Sequence, residues 1–188
     1  ASLRLHSVNV IGEAANVFVA ENLFNSLQPE IVMIDLQFSG EAAVALLQKF
    51  RKVEPNVGIV ITTSCPDLRL FGLLEKNIPH GSKIILKRSV SDLSIITYAL
   101  SESVESAQDG SAMRWVSSHT AVHENSFISI LNDLTDIQIE TLRLVAQGLS
   151  NSEIARIRYV SEKSVEQIVA RIAQHLSISV SYTHLTLP

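Results

Sequence analysis

Residues Leu134 to Ile178, LTDIQIETLRLVAQGLSNSEIARIRYVSEKSVEQIVARIAQHLSI, spell three short helices, each opened by a hydroxyl residue and joined by tight turns. Thr135 with Gln138, and Ser150 with Glu153, have capping-box spacing. The hydroxyl accepts from a free first-turn amide while the Gln or Glu side chain reaches back. Ser161 caps a third helix, with Glu162 at its positive end. Gly148 follows the first periodic run, where a left-handed residue closes a helix at least cost. Val165, Ile168, Val169, Ile172 and Leu176 recur at helical spacing, which gives the last helix one buried stripe. Two helices across a short turn, the second with a polar face, form the helix-turn-helix pattern that enters a DNA major groove.

The first half alternates short aliphatic runs with amphipathic ones. Val8–Ile11, Ile31–Ile34, Gly58–Thr62 and Lys83–Leu86 read as strands, continuous rather than alternating, as parallel strands covered on both faces are. Ala43, Leu46, Leu47 and Phe50 predict one helix face. Leu70, Leu73 and Leu74 predict a second, and Leu93, Ile96, Leu100 and Val104 a third. The expected fold is an α/β parallel-sheet domain followed by a small all-α domain. Ligands of such sheets gather beyond the carboxyl ends of the strands, where Asp35, Thr63, Ser64 and Lys87 fall. A carboxylate, a hydroxyl and an ammonium at one edge can accept a phosphoryl group, bind its oxygen and neutralise its charge. The same residues are also ordinary turn formers.

No apolar run reaches membrane-spanning length and no secretory leader is recognisable. The single cysteine, Cys65, fits a reducing cytoplasm and has no base placed beside it by any motif. Asp109 to Leu131 reads as a linker with a short helix at its end. Within it Trp115 pins the linker to a domain, and His119 and His123 are better taken as surface residues than metal ligands. Ser179 to Pro188 lacks helical or strand logic and is expected to be a non-native tail.

Together the two halves resemble response regulators of the NarL/LuxR type, a receiver domain followed by a LuxR-type helix-turn-helix. Leu134-Thr135, AQGLSNSEIA from Ala146 to Ala155, and SEKSV from Ser161 to Val165 carry the second match. VIGEAA (Val10–Ala15), IDLQFSG (Ile34–Gly40), ITT (Ile61–Thr63) and ILK (Ile85–Lys87) carry the first, as the ends of the family's second to fifth strands. The resemblance implies a flavodoxin-like receiver over residues 8–107, a linker over 108–131 and the helix-turn-helix over 132–178. It implies Asp35 as phosphoacceptor, Thr63 as switch hydroxyl and Lys87 as the phosphate-contacting lysine. It also implies a histidine kinase or other signalling protein as partner, and a homodimer in the intact protein.

Several positions depart from that pattern. With Val8–Ile11 as the second strand, the family's first strand and helix have no counterpart. The paired acidic residues that hold Mg²⁺ in the family go with them, and Glu13 lies too far along the wrong strand to replace them. A dianionic phosphoryl donor needs that cation to approach a carboxylate. Phe38-Ser39-Gly40 replaces Met-Pro-Gly, Ile84 stands where a switch aromatic often lies, and two added residues fall between Lys76 and Lys83. The receiver-like domain is therefore expected to be incomplete and not phosphorylatable. Val8–Ile11 is expected to move beside Ile31–Ile34 and close a four-stranded sheet, the alternative being an exposed apolar edge.

On the last helix Lys163, Ser164, Glu166, Gln167, Ala170 and Arg171 lie off the buried stripe. By resemblance Glu166, Gln167 and Ala170 occupy base-contacting positions, although basic residues are common at the first and third. Gln167 suits adenine, Glu166 can accept from cytosine, and Arg171 can reach a phosphate. The net charge of −4, and the even balance of charges in Leu134 to Ile178, deny the unit a positive excess. Two functions remain open: a DNA-binding transcriptional regulator, and a phosphorylation-independent interaction module with weak or no DNA binding. An enzyme is the least favoured reading, since a phosphoacceptor turns over only itself.

Overall fold

The computed structural model describes residues 8–36, 40–116 and 130–176. The chain divides into two compact units, residues 1–68 with 73–122 and residues 69–72 with 123–188. Phe38, Ser39, His119, His123 and the tail Ser179–Pro188 lie outside the described residues.

In the first unit four parallel strands, β1 (Ile31–Asp35), β2 (Gly58–Thr63), β3 (Lys83–Leu86) and β4 (Arg114–Val116), lie in the order β1-β2-β3-β4. Helices α1 (Val17–Leu27), α2 (Gly40–Val53) and α3 (Leu93–Asp109) complete it. Every residue of β2 and β3 is buried, the burial expected of central parallel strands. Val60 and Ile85 face α3 and pack with Ile95, Ile96, Ala99, Leu100 and Val116. Helix α2 buries Ala43, Leu46, Leu47 and Phe50, the predicted stripe, along with Val44. Phe50 stacks on Phe24 of α1 with ring centroids 3.9 Å apart. The sequence reading did not single out α1, although Asn16 opens it by accepting from the Val19 amide at 2.9 Å.

Three expectations for this unit fail. Val8–Ile11 is not a strand and, among the described residues, does not pair beside β1; the fourth strand is β4, joined to β3 in the register Ile84↔Trp115. Asn9 and Gly12 interrupt the apolar run. Val8 instead packs on the α3-side core beside Ile31, and Gly12 lies so close to α1 that a Cβ would be 3.0 Å from Leu27. Leu70, Leu73 and Leu74 share no α-helix. Gly72 and Pro79 break the segment into 3₁₀ turns at Leu68–Phe71 and Glu75–Asn77, which bury Leu73 and leave Leu74 exposed. The stretch that reads as linker supplies β4, so Trp115 sits half-buried in the sheet.

In the second unit α4 (Asp136–Ala146), α5 (Asn151–Arg158) and α6 (Glu162–His175) are the three expected helices. The Thr135 amide donates to Gln138 Oε1 at 2.8 Å while the Gln138 amide donates to Thr135 Oγ1 at 3.3 Å. Ser150 and Glu153 repeat the exchange at 2.8 and 3.3 Å. The Ser150 hydroxyl and amide together hold the Glu153 carboxyl below its ordinary pKa. Gly148 takes φ 83°, as predicted. Ile154 and Val165 are fully buried with Leu144 and Ala155, locking α5 and α6 against α4.

Candidate functional sites

The carboxyl ends of β1, β2 and β3 bring Asp35, Thr63 and Lys87 to one edge of the sheet. Asp35 and Thr63 end their strands, and Lys87 follows Leu86, which pairs with Thr63. Lys87 Nζ lies 2.5 Å from Asp35 Oδ2, reaching past β2 to do so, with both side chains about one-third exposed (34% and 36%). The predicted carboxylate and ammonium thus meet as an ion pair. Thr63 is fully buried, and its hydroxyl is engaged locally. It accepts from the Cys65 amide at 3.1 Å and donates to the Cys65 carbonyl at 3.3 Å. Ser64 is exposed. The Cys65 thiol is pushed above its ordinary pKa by burial, the opposite of what a nucleophile needs. Among the described residues no group of three His, Cys, Asp or Glu side chains is placed to hold a metal ion.

The second candidate surface is the outer flank of α6. Val165 and Ile172 are buried and Ile168 and Val169 half-buried, so the apolar stripe faces inward. Lys163, Glu166, Gln167 and Arg171 are exposed, and Ala170 is half-buried. The i, i+3, i+4, i+8 spacing of those four puts them on one side of the helix. Ser164 is half-buried, with its amide donating to Ser161 Oγ at 3.2 Å and its hydroxyl 2.8 Å from that oxygen. Of the six predicted residues it is the one whose polar group is already occupied.

Arg158 contributes to the charge count of the unit but is largely withdrawn from solvent. Its side chain is 10% exposed, Nη1 donates to Thr141 Oγ1 at 2.7 Å, and Nε lies 3.4 Å from Glu140 Oε2. It ties the end of α5 to α4 and takes no part in the outer flank. Its place one turn after Ile154 and Ala155, both buried, is the sequence signal for this role. Among the described residues no helix is long and apolar enough to cross a membrane.

Residues 132–182 match the bacterial regulatory proteins of the luxR family. The chain is 25% identical to the response regulator protein VraR of Staphylococcus saprophyticus over 172 residues, 91% of this chain and 79% of that protein. It is 23% identical to the DNA-binding transcriptional activator EvgA of Escherichia coli K12 over 91% of this chain and 80% of that protein. Among solved structures it is similar to RcsB from Salmonella enterica serovar Typhimurium bound to promoter rprA. That likeness has 21% identity and a TM-score of 0.47, covering 96% of this chain and 85% of that one. The match to the luxR family is confined to residues 132–182, where the three capped helices lie, and along most of its length the chain is similar to response regulators.

Proposed function

We propose that this protein is a DNA-binding transcriptional regulator of the two-component response-regulator type, in which α6 is the helix that enters the major groove. The observation that carries this reading is the exposure of Gln167 and Arg171 on one flank of a helix whose opposite face is buried. A capped, rigid rod with a free polar side is what groove insertion requires. The luxR-family match over these residues and the similarity to a transcriptional activator support it. With charges balanced across the unit, one copy attracts phosphates weakly, and a homodimer supplies the remaining affinity by engaging two half-sites.

Electrophoretic mobility shift with the full chain and a selected duplex tests the proposal. Gln167→Ala is expected to lose about 1–3 kcal/mol against the specific site. Arg171→Ala is expected to weaken all duplexes alike, because a phosphate contact carries no sequence information. Equal binding by the wild-type chain and both variants removes α6 as the reading element. Absence of any shift favours the interaction-module reading, to which the withdrawal of Arg158 from the surface lends weight.

For the first unit the proposal is a receiver-like domain that does not take up a phosphoryl group in this chain. Support for this comes from the Asp35 carboxylate, which is engaged by Lys87, and from the Thr63 hydroxyl, which is turned to the Cys65 backbone; among the described residues no group of three His, Cys, Asp or Glu side chains could hold a cation. Without that cation, like charges oppose the approach of a phosphoryl donor. Incubation with Mg²⁺ and a small phosphodonor is expected to leave the intact mass of the wild-type chain unchanged, as in Asp35→Asn. An adduct present in the wild type and lost in Asp35→Asn overturns this.

A further inference from the structure

We propose that Glu166 makes α6 select cytosine at one position of its DNA half-site, with Gln167 selecting adenine at a neighbouring one. This rests on the DNA-reading role of α6 and specifies what is read. Glu166 and Gln167 are consecutive and exposed, and among the described residues neither side chain has a hydrogen bond or ion pair. Lys163, one turn earlier on the same flank, forms no pair with Glu166, so the carboxylate reaches the groove uncompensated.

An ionised carboxylate is acceptor-only. In the major groove guanine presents two acceptors, and thymine presents an acceptor and a methyl group. Against either, Glu166 meets like partial charge and loses its water without a replacement donor. Adenine offers its N6 donor only beside the N7 acceptor. Cytosine offers the N4 donor flanked on its own base by a C–H, with only the O6 of its paired guanine as a neighbouring acceptor. Rejection of three bases therefore contributes as much to selection as attraction to the fourth. Gln167 carries both a donor and an acceptor on one amide, the pair that matches adenine N6 and N7. Ala170, a turn further on, brings only a methyl group, which suits contact with a thymine methyl.

Selection of the full chain against a pool of duplexes with a randomised core, followed by sequencing, tests the assignment. The wild-type chain is expected to enrich cytosine at one position by about tenfold or more over guanine and thymine. Glu166→Gln keeps the side-chain length and adds a donor, so preference at that position alone is expected to move to adenine. Glu166→Ala is expected to flatten it. Glu166 is exposed, so an unchanged unfolding midpoint in both variants excludes a folding cause. Enrichment of the same bases by all three proteins overturns the assignment while leaving the DNA-reading role standing. Failure of the wild-type chain to retain any duplex overturns both.

Discussion

Ile154→Ala is expected to destabilise the second unit by about 2–5 kcal/mol and to abolish its mobility shift. Ile154 is fully buried and packs with Leu144, Ala155 and Val165, one contact surface from each of the three helices. Helix α5 has eight residues, too few to persist in water without that packing. Removing its largest buried side chain leaves a cavity at the junction, which a unit of this size cannot collapse without moving α6. Ile154→Val, which removes one methylene, is expected to cost about 0.5–1.5 kcal/mol and to retain binding. Denaturant unfolding followed by far-ultraviolet circular dichroism measures both. A change below about half a kcal/mol in Ile154→Ala contradicts the described core.

Gly81→Ala is the corresponding test of the first unit. Gly81 has φ +75°, donates its amide to the Ser111 carbonyl at 2.6 Å, and lies under the last turns of α3. A Cβ there would sit 2.4 Å from the Ser106 carbonyl oxygen and 2.7 Å from the Ala107 nitrogen, both backbone atoms that no rotamer change can move. The left-handed conformation costs an alanine about 1–2 kcal/mol, and the overpacking adds about 1–3 kcal/mol. A loss of about 2–5 kcal/mol is expected, seen in thermal unfolding as an earlier transition of the first unit with that of the second unchanged. Gly110→Ala is the contrast. Its φ is also positive, but nothing lies within 4 Å of its Cβ, so it bears the conformational cost alone.

The parts of this structure that were legible in the sequence are those set by local chemistry. A hydroxyl followed three residues later by Gln or Glu fixes where α4 and α5 begin, and the exchanged hydrogen bonds lie where the spacing puts them. The strands of the sheet interior read directly because burial on both faces leaves each with three aliphatic residues in a row, Ile59, Val60 and Ile61 in one and Ile84, Ile85 and Leu86 in the other. What was not legible depends on tertiary partners. Arg114–Val116 has only three residues and an exposed arginine, and becomes a strand because β3 offers it an edge. Val8–Ile11 is apolar enough for a strand, but its Val8 side chain is used in the α3-side core instead. The ion pair of Asp35 with Lys87 follows from the alignment of β1, β2 and β3, which no local pattern encodes. The ties of Arg158 were not legible because its partners, Glu140 and Thr141, belong to a different helix.

The outer flank of α6 holds one lysine and one arginine against Glu166, with Glu162 also exposed at the start of the helix. On the proposed reading, docking such a surface displaces few of the cations condensed along a duplex, so little of the binding free energy comes from their return to bulk solution. Association then depends only shallowly on ionic strength, and one copy gains little by sliding along random sequence. On the same proposed reading, discrimination would fall on base edges and on the pairing of two copies, the sugar-phosphate backbone contributing little hold.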